Sequence, residues 1–486
     1  MYYYTPMYQS ILPGNLNDFT VYMIGIKGTG MTALAEILVS KGALVWGSDV
    51  SEVFYTDAVL QKLNIPVYSS FSQTNVPDSP DLIIYSAAFS PENNEELFVA
   101  AQRGLPMMSY PEALGAFSKN HYSCGICGVH GKTTTTGITG TILKKLDFPA
   151  SVLAGSVLSG FGNSSTMLNG DKYFVAETCE YKRHFLNFFP QKIILTSIEP
   201  DHQDYYPTYE SILAAFLQYI GKLPQFSELF YCADDAGACE AAKLAFASRP
   251  DLALIPYGEK ASGDYKVSIH GVRDGKLYFS LAGFAGEFRL QIPGRHNVLN
   301  SAAAIALSIS LLKEEYGSVS VENVSAIRSA IASFTGSKRR TEFIGKMQSK
   351  DVLIFDDYAH HPTAIKTLLK GLREFYPERR IVADFMAHTY SRTEALINEF
   401  SACFSDADIV ILHKIFASAR EKYSGQMDAQ TLFTKTKKRH KNVYFFNEVQ
   451  DAKDFLKERL KNGDLFITIG AGNNYVLGTE LLAEEG

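Results

Sequence analysis

No stretch of this chain approaches the roughly 20 continuous apolar residues needed to cross a bilayer, which argues against a helical membrane protein. The N-terminal MYYYTPMYQSILPG has neither the basic start nor the apolar core of an export signal. Six cysteines in 486 residues are too few for a disulfide framework. The C-x-x-C formed by Cys124 and Cys127 lies in the apolar run SCGICGVHGK, and no second pair completes a zinc site. Both are read as buried strand cysteines. Basic charge is not in excess either: the net charge is −6, which gives no electrostatic reason to expect nucleic acid. A phosphate ligand is not excluded, because backbone amides and a few cations suffice to bind it. The basic run KTKKRHK (435–441) reads as a solvated helix end. These absences lead to the expectation of a cytoplasmic protein, monomer or homodimer, with no nucleic-acid or membrane partner.

What remains is an ordinary globular composition in a chain too long for one core, and about three domains are expected. VYMIGI (21–26), ALVWGSD (43–49) and DLIIYSAA (81–88) read as buried strands, with MTALAEILVSKG (31–42) and PEALGAF (111–117) as helices between and after them. The rhythm restarts at Tyr122 and runs through YFVAE (173–177), KIILTSI (192–198) and ELFYCA (228–233) to the helix SAAAIALSISLL (301–312). After the polar stretch TGSKRRT (335–341) it resumes with DVLIFDDY, RIVADF, DIVILH, VYFF and DLFITIG. Strands alternating with helices imply parallel, doubly wound sheets. The expected fold is α/β with three domains in series, at residues 1–119, 120–334 and 335–486. The first and last are Rossmann-like, and the central one is a P-loop ATPase-type parallel or mixed sheet. No internal repeat or low-complexity tract is present.

Gly128-Val129-His130-Gly131-Lys132-Thr133, followed by three further threonines, is the most informative segment. A glycine turn between strand and helix brings backbone amides to phosphate oxygens; the lysine meets the terminal phosphates, and the Thr133 hydroxyl can hold Mg²⁺. The strict phosphate-loop pattern is not met, because Ile126 occupies its first glycine position. A second cluster, GIKGTGMTALA (25–35), also follows a strand and opens a helix, with Lys27 at the middle glycine of a G-x-G-x-x-G. Asp49 ends the next strand, where an acid can meet a ribose hydroxyl. Two phosphate-type loops point to two nucleotide-like ligands. Glu177 and Glu180, then Glu199, Asp201, His202 and Asp204, follow two strand ends, where ligands of doubly wound sheets bind. Glu180 and His202 are candidates to carry a divalent metal.

GVHGKTTTT, ETCEYKRHFLNFFP, TSIEPDHQDYY, GRHNVLNSAAA, GSKRRTEF, DDYAHHPT and HTYSRT occur in this order. The series resembles the Mur ligases, ATP-dependent carboxylate–amine ligases, from residue 20 to about 475. With GIKGTGM in front, the resemblance implies the branch that joins L-alanine to UDP-N-acetylmuramate, the alternative being the ligase that recycles murein tripeptide onto the same sugar nucleotide. It implies ATP and Mg²⁺ as cofactors, with ATP phosphates on Gly128, His130, Gly131, Lys132, Thr133 and Thr134. It implies magnesium at Thr133, Glu180 and His202, with Glu177 as the fallback for Glu180. Asn297, with His296 beside it, would contact adenine; Arg340 would reach phosphate, and Asp356 or Asp357 the ATP ribose. Gly28, Thr29 and Gly30, with Asp49, would hold the UDP sugar in the first domain. Tyr358 and His361 would face the substrates, and Arg392 would hold the amino acid's carboxylate. Lys132, Glu180, His202, Arg340 and His361 form the implied catalytic set, and the third domain binds the amino acid and closes on ATP. The chain departs from the family pattern at Lys27, at MAH (386–388) in place of Gln-Pro-His, and at Asn473 in place of aspartate. A folylpolyglutamate-type ligase, a non-catalytic nucleotide-binding regulator and an NAD oxidoreductase are the competing readings; the first leaves the N-terminal glycine loop without a task, the last the ATP loop.

Overall fold

The apolar runs become strands of four sheets in the computed structural model, which describes residues 12–417 and 427–484. Most of MYYYTPMYQSILPG (residues 1–11) lies outside the described residues. The first sheet has five strands in the order Val67–Tyr68, Leu44–Ser48, Thr20–Ile24, Leu82–Tyr85, Met107–Ser109, all parallel. The chain thus winds outward from a central first strand in both directions, the doubly wound arrangement whose switch point faces ligands at the strand ends. At that end the helix Thr29–Ser40 begins.

The second sheet has seven strands, ordered Ala253–Tyr257, Glu228–Cys232, Lys192–Leu195, Tyr122–Cys127, Tyr173–Glu177, Ala150–Leu158, Ser164–Leu168. Its centre is parallel, and the Ala150–Leu158/Ser164–Leu168 pair at one edge is antiparallel. Central strands are covered on both faces, so they read as continuous apolar runs rather than alternating ones; Cys124, Ile126 and Cys127 are all fully buried. Every cysteine among the described residues is a free thiol, which agrees with the reading of the C-x-x-C as strand residues.

Six strands form the C-terminal sheet: Glu342–Met347, Val352–Asp357, Leu465–Gly470, Ile381–Met386, Ile409–Leu412, Val443–Phe445. Only the first pairs antiparallel with its neighbour. On it lies the helix Pro362–Phe375, which starts with proline in its first turn under a His361 cap. Ile365, Leu368, Leu369, Leu372 and Phe375 repeat at helical spacing and are buried. A fourth sheet, not among the expected strands, is an antiparallel meander of Val267–Arg273, Lys276–Leu281 and Phe288–Leu290. KTKKRHK does fall at a helix end, since the helix Ala429–Lys437 stops within it.

By compactness the chain forms two units. One comprises residues up to Ser197 with Ala214–Ile255 and Ala303–Ile327, and holds the first two sheets apart from the end of one edge strand. The other comprises Ile198–Leu213, Pro256–Ala302 and everything from Arg328 on, and holds the meander and the C-terminal sheet.

Candidate active site

In the first unit the strand Tyr122–Cys127 runs into the loop 128–131, and the helix Lys132–Lys145 begins at once. Gly128 has φ +135° and lies so close to Thr196 and Ser197 that an added Cβ would fall 2.1 Å from the Thr196 hydroxyl. Only glycine satisfies both constraints. The neighbouring strand end anchors the loop: Val129 N–H donates to the Ser197 carbonyl (3.0 Å) and His130 N–H to the Ser197 hydroxyl (2.9 Å). Thr133 and Thr134 in the first helical turn are buried.

Lys132 reaches back over this loop. Its Nζ donates to the carbonyls of Gly128 and Val129 and lies 3.1 and 3.0 Å from the two carboxylate oxygens of Glu180. The Glu180 side chain is only 2% exposed. Burial disfavours the Lys132 ammonium, but the Glu180 carboxylate outweighs it, so the lysine's pKa is raised above its usual value. Directly after Glu180, Lys182 and Arg183 both take left-handed backbone angles (φ 50° and 60°), a strain that clusters at working sites. Arg183 is fixed there by Gln218, at 2.6 Å.

At the first sheet, the substitution at Lys27 has a structural account. Its ammonium donates to the carbonyls of Val50 (2.9 Å) and Glu52 (2.8 Å) and pairs with Asp57 at 3.1 Å, in a side chain 6% exposed. The segment 50–57 is thereby strapped to the glycine turn, and Tyr55 meets Thr29 hydroxyl to hydroxyl. The Asp49 carboxylate accepts the N–H groups of Lys27 (2.7 Å) and Val50 (2.8 Å). Lys27→Met is expected to lower stability by about 2 kcal/mol, since it removes the donors holding both carbonyls and leaves Asp57 without its cation. A lower midpoint in denaturant is the measurement. Gly28 has ordinary space around it, whereas a Cβ on Gly30 would lie 2.7 Å from the Tyr110 ring. Gly30 and Tyr110 line a cleft with Gly155, Glu177, Cys179 and His184.

The second unit gathers the remaining candidates. Asp357 accepts the N–H groups of Thr341 (2.6 Å) and Ala359 (2.7 Å), and burial raises its pKa. Asp356 is bound by Arg339 (2.9 Å) and Thr468 (2.7 Å). The Arg340 guanidinium lies over the Tyr358 ring, 5.4 Å from its centroid. His361 caps its helix by accepting the Thr363 N–H at 3.3 Å, and its Nδ1 lies 3.3 Å from Glu199. Asn297 is buried and donates to the Pro293 carbonyl at 2.7 Å, while the His296 ring packs against Gly294. His202 sits at φ 52°, with its N–H on Asp201 at 2.7 Å.

Arg392 is 6% exposed and does not stand alone: Nε and Nη2 donate to one oxygen of Asp201 at 3.0 and 2.9 Å. Burial works against the Asp201 charge, but Arg392 and then the nearby histidines overcome it and hold its pKa well below the usual carboxylate range. The pKa of His360 beside it is also lowered, well below that of an ordinary histidine, by burial and then by Arg392. Of the residues in MAH, Met386 and Ala387 are core positions, each 1% exposed, and Met386 packs on Gly472. His388 touches Arg392, its Nδ1 lying 3.2 Å from Nη1. Residues overlooked in the sequence are Tyr110, His360 and Asp201 as the partner of Arg392. His360 carried a local signal in the doubled histidine of DDYAHHPT and Asp201 one in its place after a strand end, but nothing local pairs Asp201 with Arg392.

Three family models match the chain in series. "Mur ligase family, catalytic domain" covers residues 20–122, "Mur ligase middle domain" 126–308, and "Mur ligase, glutamate ligase domain" 339–472. A UDP-N-acetylmuramate–L-alanine ligase of Treponema pallidum is 56% identical over 475 residues, covering 98% of each chain. One of Borreliella burgdorferi is 40% identical over 460 residues, covering 94% of this chain and 97% of the relative. Among solved structures, the UDP-N-acetylmuramate–alanine ligase of Thermotoga maritima superposes with a TM-score of 0.76 at 23% identity, covering 96% of this chain and 98% of that one. That likeness is one of fold.

Proposed function

The chain belongs to the Mur ligase family, and from that premise we propose that it joins L-alanine to the carboxylate of UDP-N-acetylmuramate at the cost of ATP, in the assembly of peptidoglycan precursors. The observation that carries this reading is the end-to-end likeness to alanine-adding ligases. A phosphate loop whose lysine is locked to a buried glutamate agrees with it. Residues 1–119 serve the UDP sugar, 120–334 ATP, and 335–486 the amino acid. The protein works in the cytoplasm.

A carboxylate is a poor electrophile toward amines. Transfer of the γ-phosphoryl group of ATP makes it an acyl phosphate; the uncharged amine then attacks the carbonyl carbon, the C–N bond forms, and the C–O bond to phosphate breaks. The first step brings two anions together, so fixed cations and amide dipoles must be in place beforehand. Lys132 and the amides of 128–134 supply them. The oxygen donors Thr133 and Glu180, both buried and beside the loop, suit a hard divalent cation. Magnesium there would neutralise phosphate charge. The cleft at Gly30, Tyr110 and His184 holds the sugar nucleotide, and Arg392 takes the amino acid's carboxylate.

Phosphate release from ATP and Mg²⁺ tests the reading, with UDP-N-acetylmuramate present and L-alanine, glycine, L-serine or murein tripeptide added singly. Release is expected to require both the sugar nucleotide and L-alanine. Release with the tripeptide alone would reassign the acceptor, and none with any acceptor would overturn the ligase reading.

A further inference from the structure

We infer that Asp201 is a positioning residue for the amino-acid step: it grips Arg392 along the Nε edge, so that the outer Nη edge is presented to the carboxylate of the incoming amino acid. This rests on the reading of Arg392 given above.

A guanidinium has five N–H groups in one plane and no acceptor. Asp201 takes the Nε–H and one N–H of Nη2, at 3.0 and 2.9 Å. His388 Nδ1, 3.2 Å from Nη1, must be the acceptor there, because arginine only donates. Two N–H groups are then left, one on each Nη, and such a pair matches the two oxygens of a carboxylate. Asp201 is itself oriented, since its Oδ1 also accepts the N–H of His202 at 2.7 Å. Arg392 and Asp201 are 6% and 4% exposed, so neither edge is free to turn toward bulk solvent.

The test is the dependence of phosphate release by the full-length enzyme on each substrate. In Asp201→Asn the KM for L-alanine is expected to rise about tenfold, the scale of one charge-assisted hydrogen bond, with KM for ATP and UDP-N-acetylmuramate unchanged. Asp201→Glu should recover part of the loss. Arg392→Lys should also raise the L-alanine KM, and adding Asp201→Asn to it should cost little more, because both act through one contact. An Asp201→Asn enzyme with a lowered thermal midpoint but an unaltered L-alanine KM would overturn the proposal, as would a uniform fall in kcat with all three KM values preserved. If Asp201→Asn does not fold, Asp201→Glu decides: an L-alanine KM equal to wild type refutes the role. An Arg392→Lys enzyme with normal L-alanine KM removes the clamp and leaves the ligase reading standing. A wild type inactive with every amino acid removes both.

Discussion

Lys132→Met is expected to lower ATP-dependent ligation by about 10³-fold, the loss typical when one preorganised charge is taken from a transition state in which charge moves. The side chain that replaces it fits the space but brings neither donor nor charge. Lys132 now bridges the carbonyls of Gly128 and Val129 to Glu180, so three groups lose a partner together. Glu180, 2% exposed, loses the cation it pairs with. Lys132→Arg should not rescue the rate: the planar fork is longer and cannot sit as a point between two carbonyls and a carboxylate. Single-turnover phosphate release separates this from substrate binding. A Lys132→Met enzyme within tenfold of wild type would show that the loop's amides alone neutralise the phosphates.

Asp384→Ala is expected to destabilise the second unit by about 4 kcal/mol, because it strands a buried cation. Asp384 and His413 are 0% and 1% exposed, and Nε2 lies 2.8 Å from the carboxylate. The other ring nitrogen, Nδ1, faces the Phe446 carbonyl at 3.1 Å. Both nitrogens meet acceptors, so both carry protons and the ring is an imidazolium. Burial opposes that charge, but Asp384 and the hydrogen bonds outweigh it and raise the His413 pKa above 6.5. A raised pKa in the folded state means stability that is fully present below the unfolded value of about 6.5 and is lost as pH rises through the folded value. The gap in unfolding midpoint between wild type and Asp384→Ala should therefore be widest at mildly acid pH and narrow in alkali. A gap that grows with pH would mean that the ring is neutral. Asn474 adds to the same network, donating to Asp384 Oδ1 at 2.8 Å and tying the turn after Leu465–Gly470 to it.

The sequence made the parallel sheets plain because their strands are buried on both faces, so runs such as KIIL and LFITIG stand out without alternation. The meander was harder because its strands are short, although burial alternates strictly along Lys276–Leu281 and Phe288–Leu290. It did carry one usable sign: Asp274-Gly275, both at positive φ, joins two strands as a tight hairpin turn. At the site, residues adjacent in sequence were legible and pairs distant in sequence were not. Lys132 and Thr133 announce themselves through their loop. That Lys27 would strap residues 50–57, or that Arg392 would lie against a carboxylate 191 residues away, has no local signature. Asp384 and His413 were invisible for the same reason, each reading as one polar residue in or beside an apolar strand.

The helix Lys132–Lys145 is built from threonine and glycine more than from leucine, yet Thr133 to Leu143 are buried apart from Thr141. The hydroxyls of Thr136, Thr139 and Thr141 donate to the helix's own carbonyls four residues back, at 2.9, 2.8 and 2.8 Å. Each hydroxyl is thereby silenced without outside help, and what these three side chains offer their surroundings is mainly a methyl group and a branched shape. The packed surface of this helix is therefore set by contour: at Thr139, 0% exposed, valine is expected to cost less stability than alanine, which opens a cavity, as midpoints in denaturant would show.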